Sequence, residues 1–116
     1  MVDRSPGGYV PERGHIVWLQ FDPRAGHEQS GRRPALVVSP EAYDEKVGLA
    51  LMCPIASKAK GYPFEVELPT DLTISGVVLA DQIRSLDWRV RLAQFECQAP
   101  DAVLAEVIDK IRVLIT

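Results

Sequence analysis

A small β-rich barrel with one C-terminal helix is the fold class that the sequence predicts, and two patterns predict it. First, five to seven short segments rich in apolar, β-branched or aromatic residues are separated by proline, glycine and polar turn signals. Second, apolar residues recur at three- and four-residue steps near the end of the chain, which is typical of an amphipathic helix. Short strands in such number favour a strongly bent sheet.

The predicted strands are short and differ in how much of each is apolar. The first is apolar on both alternating faces, so it is expected to be buried on both sides, with Trp18 in the core. Pro54 indicates a strand end, bulge or edge within the third segment. The predicted strand segments are His15–Phe21, Ala35–Ser39, Leu49–Ile55, Tyr62–Leu68, Gly76–Leu86 and Arg89–Phe95. Ala99-Pro100-Asp101 is a helix start signal, and the helix is expected over about residues 100–115.

Length and composition indicate one globular domain. The chain has 116 residues, of which 47% are hydrophobic and 25% charged. We predict a flexible leader over residues 1–13 and a single domain over residues 14–116. No apolar run is long enough to span a membrane and no signal peptide is visible, so we expect a cytoplasmic protein. Two cysteines and two histidines show no metal-ligand spacing, so we predict no metal and no cofactor.

The stretch Asp22–Pro34 is the strongest candidate for function. It holds three arginines, a histidine and a glutamate between two apolar strands, and it is long for a hairpin connection. Arginine matches the geometry of phosphate, and a neighbouring carboxylate or imidazole can move protons. A net charge of -3 argues against a general nucleic-acid binder, although the fold could gather the basic residues on one face. A solvated loop with incidental charges is the alternative interpretation.

Four segments, in the same order, resemble the MazF/PemK/Kid family of toxins, and most closely its MazF branch. They are Asp22-Pro23 with Gly26-His27-Glu28-Gln29, Gly31 and Arg33-Pro34; Gly61-Tyr62-Pro63-Phe64-Glu65-Val66; Ala80-Asp81-Gln82-Ile83-Arg84-Ser85 with Trp88-Arg89; and the final helix with Val113-Leu114-Ile115. The resemblance covers about residues 9–116.

The resemblance implies an SH3-like small barrel, the fold shared by CcdB, Kid and MazF, that works as a homodimer. It implies a sequence-specific endoribonuclease that cuts single-stranded RNA, such as mRNA, without a metal. Attack by the 2′-hydroxyl would leave a 2′,3′-cyclic phosphate and a 5′-hydroxyl. It also implies inhibition by a small acidic antitoxin similar to MazE, which we expect to fold on binding, cover the basic groove and displace the loop.

Residues carried over from the resemblance divide into catalytic and RNA-binding sets. Glu28, as base, and Arg33, on the phosphate, form the expected catalytic pair. His27 and Asp81 have supporting roles in proton transfer, although Leu79 replaces an arginine that Kid-like members place two residues before that aspartate. The expected RNA-binding residues are Gln29, Arg32, Ser57, Lys60, Gln82 and Arg84.

Two other functions share this fold. A CcdB-like toxin would poison DNA gyrase without catalysis, but that branch relies on a terminal Trp-Gly-Ile, whereas this chain ends Leu114-Ile115-Thr116. A non-catalytic barrel that binds RNA or a peptide would need the loop residues to be catalytically idle.

Overall fold

A computed structural model describes residues 8–21 and 31–116 of the chain. The strands are β1 (His15–Gln20), β2 (Arg32–Val37), β3 (Ala50–Ala56), β4 (Glu65–Glu67), β5 (Val77–Leu79), β6 (Arg84–Leu86) and β7 (Gln94–Gln98). The helices are α1 (Glu41–Val47) and α2 (Asp101–Ile115), and a 3₁₀ turn occupies Ala80–Gln82. Within these described ranges, no helix is long and apolar enough to cross a membrane.

The strands form one antiparallel sheet with a C-terminal helix, which confirms the predicted fold class. The strand order is β4-β5-β3-β2-β1-β7. Strand β6 lies outside this order and pairs with β3. The outer strands β4 and β7 do not pair with each other in the described part of the chain, so the sheet is open, which is compatible with a small barrel-like fold.

Strand β1 is buried on both faces, as its apolar pattern predicted. Ile16 packs into a cluster that includes Val103 and Val107 of α2. Val17 and Leu19 project into a second cluster on the opposite face of the sheet. The second cluster also contains Val10, from the predicted leader, and Pro11 beside it is fully buried. The packed domain therefore begins before residue 14; residues 1–7 of the leader lie outside the described ranges.

Pro54 lies where β3 changes partners, which explains its place inside a strand. Residues 50–52 of β3 pair with β6, and Ile55 and Ala56 pair with β5. Pro54 falls in the gap between these two ladders, where no backbone N–H is needed on that edge.

The strand predicted over Arg89–Phe95 is wrong in its first half. Asp87 Oδ1 accepts hydrogen bonds from the backbone N–H groups of Arg89 (3.1 Å) and Val90 (3.0 Å), and this bonding closes a turn. Leu92 has a positive φ of 57°. These local bonds compete with the sheet, so β7 begins only at Gln94.

Three other predicted strand boundaries also move. The fourth strand shortens to Glu65–Glu67, and the 3₁₀ turn divides the predicted strand Gly76–Leu86 into β5 and β6. Strand β2 begins at Arg32 instead of Ala35, because Arg32, Arg33 and Pro34 pair with β1. Both arginines are therefore held by a sheet and do not belong to the loop.

Asp44 on α1 is a fully buried acid. Its Oδ1 accepts a hydrogen bond from Ser39 Oγ (2.5 Å), and Ser39 Oγ in turn accepts one from the backbone N–H of Leu51 (2.9 Å). Its Oδ2 has no hydrogen-bond partner among the described residues. Burial is the main cause that raises the pKa of Asp44 to about 6.

The raised pKa of Asp44 predicts a pH dependence of stability. The folded state binds this proton more tightly than the unfolded chain, so Asp44 stabilises the fold more as pH falls through about 6. We expect the stability of Asp44→Asn relative to the wild type to be higher at about pH 7.5 than at about pH 4.5, as measured by urea unfolding at both pH values. Asp71→Asn, at an exposed position, is the matched control. An equal difference from the wild type at both pH values would contradict this assignment.

Candidate functional site

A cleft of about 490 Å³ opens where β1, β2 and the end of β3 meet the loop between β4 and β5. Its polar side chains are those of two arginines, two serines and one threonine; no carboxylate lines it within the described ranges. The lining residues are Trp18, Arg32, Arg33, Pro34, Ile55, Ser57, Thr73, Ile74 and Ser75. Cationic forks beside hydroxyl donors favour an anionic ligand such as phosphate.

Arg32 is fixed by bonds to the backbone. Its Nη2 donates to the carbonyl oxygens of Trp18 (3.3 Å) and Leu92 (3.0 Å). The turn at residues 87–92, with Leu92 in the left-handed region, presents this second carbonyl to it. Arg32 therefore ties the turn to the sheet and contributes a positive charge to the cleft wall.

Arg33 is the second cation of the cleft. It pairs with Leu19 in the β1–β2 register, its side chain is exposed, and its guanidinium makes no hydrogen bond or ion pair with any residue that the structure describes. Among residues 8–21 and 31–116, no bond of Arg33 has to be broken before its guanidinium can bind a ligand.

The hydroxyl side of the cleft depends on Gly76. Ser57 follows β3, and Thr73 and Ser75 lie in the loop that Gly76 ends. Gly76 has φ +127°, and a Cβ at this position would collide with the carbonyl oxygen of Ala56 and approach Ser57 Cα to 3.2 Å. Only glycine lets the loop lie this close to the end of β3.

Glu96 joins two walls of the cleft. Its Oε1 accepts a hydrogen bond from Trp18 Nε1 (2.9 Å), and the side chain of Thr73 approaches the same carboxylate. The side chains of Thr73 and then Trp18 favour the charged form and lower the pKa of Glu96. Trp18 is only partly in the core: it packs against the first cluster while it lines the cleft, which corrects the expectation of a core residue.

The structure brings together three of the predicted site residues, Arg32, Arg33 and Ser57. His27, Glu28 and Gln29 lie outside the described residues. The described residues on either side of their loop, Phe21 and Gly31, are joined by a hydrogen bond from Phe21 N to Gly31 O (3.1 Å).

The other predicted site residues do not line the cleft. Asp81 and Gln82 are exposed on the 3₁₀ turn. Burial is the main cause that raises the pKa of the Cys53 thiol, and the charge of Asp81 is the second cause. Lys60 is exposed in the loop between β3 and β4, and its backbone N–H donates to the Glu65 carboxylate. The Arg84 guanidinium lies 5.9 Å from the ring centroid of Phe21, the last described residue before residue 22.

Sequence reasoning did not identify Thr73, Ser75 or Glu96 as residues of the site. Thr73 and Ser75 lie in a segment interpreted only as a loop, and Glu96 lies in a strand whose start was misplaced. No group of three or more potential metal-ligating side chains occurs among residues 8–21 and 31–116.

Comparisons with known proteins agree on one family. A family described as the PemK-like, MazF-like toxin of type II toxin–antitoxin systems matches residues 12–115. The endoribonuclease toxin MazF of Escherichia coli K12 is 45% identical over 107 residues, covering 92% of this chain and 96% of that protein. The endoribonuclease toxin ChpB of the same strain is 38% identical over 109 residues, covering 90% of this chain and 93% of that protein.

Solved structures give the same result. The crystal structure of MazF (Form-I) from Deinococcus radiodurans matches with a TM-score of 0.84 and 62% identity, covering 92% of this chain and 97% of that one. A MazE–MazF complex (Form-II) from the same organism matches with a TM-score of 0.84 and 56% identity, covering 92% of this chain and 96% of that one.

Proposed function

The chain belongs to the PemK-like, MazF-like family of type II toxins, and we propose that it is an endoribonuclease that cuts single-stranded RNA at specific sequences without a metal ion. The observation that carries this proposal is the cleft in which the guanidinium of Arg33, which bonds to no described residue, lies beside hydroxyl groups. Cleavage of mRNA would arrest translation and growth, in the cytoplasm where mRNA is translated.

The proposed reaction needs three groups around one phosphate. The 2′-oxygen attacks phosphorus as a base takes its proton, and the bond from phosphorus to the 5′-oxygen breaks as an acid protonates that oxygen. The products are a 2′,3′-cyclic phosphate and a 5′-hydroxyl. Negative charge grows on the non-bridging oxygens during the attack, so a fixed cation beside them stabilises the transition state more than the ground state.

Arg33 is the residue that we assign to the non-bridging oxygens. Its guanidinium can donate two parallel hydrogen bonds to phosphate, and β2 holds its backbone in the sheet. Arg32 adds positive charge to the same cleft, but its Nη2 already donates to two backbone carbonyl oxygens. Together they attract the RNA backbone.

Glu28 is the residue that we assign as base, on the strength of the family resemblance. In the sequence, Glu28 lies between Phe21 and Gly31, which a backbone hydrogen bond joins, and Gly31 directly precedes the two arginines. Of the two supporting residues, Asp81 does not line the cleft, which favours His27 as the acid. An imidazole titrates near neutral pH and suits that role.

The CcdB-like alternative is not favoured. The chain lacks the terminal Trp-Gly-Ile on which that branch relies. The matched MazF, PemK and ChpB proteins are all named endoribonucleases.

The proposed partners follow from the same family. MazE–MazF complexes have been solved for the Deinococcus proteins. We propose that an acidic, MazE-like antitoxin covers the arginine cleft and that the toxin acts as a homodimer. The positive charge of Arg32 and Arg33 in the cleft supports an acidic inhibitor.

Substitution of Glu28 tests whether the protein is an enzyme or a binding module. We expect Glu28→Gln to lower the rate of RNA cleavage by about 10²-fold or more, since the base is lost, while RNA affinity is retained. The measurement pairs a cleavage assay with a filter-binding assay on the same RNA. If Glu28→Gln cleaves at the wild-type rate, Glu28 is not the base. If the wild type binds RNA and leaves it intact, the non-catalytic interpretation is correct.

A further inference from the structure

Glu96 occupies a β-bulge in strand β7. In the ladder between β1 and β7, Ile16 pairs with Cys97 but Val17 pairs with Phe95, so Glu96 is an extra residue between two paired ones. A bulge interrupts the alternation of side chains and can direct one of them to a position that a regular strand does not reach. Here the Cys97 side chain packs against the first core cluster, and the Glu96 carboxylate lies at the rim of the cleft.

The two partners of Glu96 come from different walls of the cleft. Trp18 is on β1 and donates its indole N–H at 2.9 Å. Thr73 is on the loop between β4 and β5, and its side chain approaches the same carboxylate closely enough to lower the pKa of Glu96. Within the described residues that loop has few backbone bonds of its own, namely Leu68 N to Gly76 O (2.9 Å) and a long Leu72 N to Pro69 O (3.4 Å). The carboxylate therefore restrains an otherwise weakly bonded loop against a rigid strand.

The hydrogen bonding of the Trp18 indole differs from that of the second tryptophan, Trp88. Trp88 is buried in the second core cluster, and its Nε1 donates to the backbone carbonyl of Asp44 (3.1 Å). Trp18, in contrast, is half-buried and has its N–H held by a side chain on another strand. The flat indole is the aromatic wall of a space with the volume of a small-ligand pocket.

We propose that Glu96 is a positioning residue that holds the Trp18 indole and the Thr73 loop at a fixed separation, and thereby sets which nucleotide fits the cleft beside Arg33. This inference rests on the proposed ribonuclease function. Single-stranded RNA is read by aromatic stacking and by hydrogen bonds to base edges. A wall held by a hydrogen bond discriminates between bases better than a mobile wall, because a mobile wall adjusts to each of them.

The test compares Glu96→Ala, Glu96→Gln and the control Glu67→Ala, which removes an exposed carboxylate from β4. Each variant cleaves one long RNA, and sequencing of the fragment ends maps every cut. We expect Glu96→Ala to lose about tenfold in kcat/KM at the preferred sites, mainly through KM, and to cut additional sites. Glu96→Gln keeps an oxygen to accept from the indole and should stay within about threefold of the wild type. Glu67→Ala should match the wild type.

A spectroscopic measurement separates positioning from a general loss of structure. The chain has two tryptophans, so the two indole N–H signals of a ¹⁵N-labelled sample report Trp18 and Trp88 separately. We expect the Trp18 signal to shift in Glu96→Ala and to be largely restored in Glu96→Gln, while the Trp88 signal stays in place.

The outcomes distinguish this inference from the proposed function. A wild-type protein that does not cleave RNA overturns the proposed function and the inference with it. If the wild type cleaves, and Glu96→Ala has the same kcat/KM and the same cut sites as Glu67→Ala, only the role of Glu96 is overturned. A Trp88 signal that moves as far as the Trp18 signal shows general disruption and also overturns it.

Discussion

Replacement of Arg33 by alanine is expected to lower kcat for RNA cleavage by about 10²- to 10³-fold, the usual cost of removing one donor that stabilises a transition-state charge. The side chain is exposed and makes no bond to any described residue, so the free energy of unfolding should change by less than about 0.5 kcal/mol. Single-turnover cleavage and thermal unfolding of the same preparation measure both quantities. We therefore expect Arg33→Ala to remain folded while its kcat for RNA cleavage falls.

Two further variants make the Arg33 result specific. Arg33→Lys keeps the charge but not the planar fork, so we expect an activity between those of the wild type and the alanine variant. Arg112→Ala removes an exposed arginine that faces Asp109 on α2, and it should leave cleavage unchanged. An Arg33→Ala protein that cleaves as fast as Arg112→Ala would remove Arg33 from the mechanism.

Replacement of Gly76 by alanine is expected to destabilise the fold by about 3 kcal/mol or more. Two costs add here. The φ of +127° is strained for any residue with a Cβ, and the new methyl group collides with the carbonyl oxygen of Ala56. The melting temperature should fall by at least about 10 °C for a domain of this size. Urea unfolding at one pH measures the loss.

Gly61→Ala is the matched control for Gly76→Ala, because it separates the two costs. Gly61 also has a positive φ, +82°, but nothing lies within 4 Å of its Cβ position. We therefore expect Gly61→Ala to cost only about 1 kcal/mol. Equal losses for the two variants would show that the collision at residue 76 is relieved by a small shift of the loop.

Local patterns were sufficient to predict the helix and the first strand. The steps between Leu104, Val107 and Ile111 predicted α2, and Val107 and Ile111 are buried against the sheet. The apolar run from His15 predicted a strand buried on both faces. In both cases the information lies within one element, so a short window of sequence carries it.

The residues missed by sequence reasoning depend on contacts between distant segments. Glu96 reaches Trp18, 78 residues away in the chain, only because pairing of β7 with β1 slips by one residue. Arg32 and Arg33 were expected in the loop, but pairing with β1 extends β2 to include them. Register is a property of two strands together, and a single strand's sequence does not define it.

The loop between β4 and β5 illustrates the same limit. Thr73 and Ser75 lie between two predicted strands, and no local pattern marks them as residues of a site. They belong to the cleft because Gly76 allows the loop to lie against Ala56 and Ser57. The sequence shows the glycine, but it does not show which backbone atoms lie next to it in the fold.

End-group analysis of RNA treated with the purified protein in the presence of excess EDTA tests the metal-free mechanism. We predict discrete fragments that end in a 2′,3′-cyclic phosphate and begin with a 5′-hydroxyl, because the 2′-oxygen is the nucleophile and Arg33, with Glu28, replaces a metal. Fragments that carry a 5′-phosphate, or cleavage that the chelator abolishes, would contradict it.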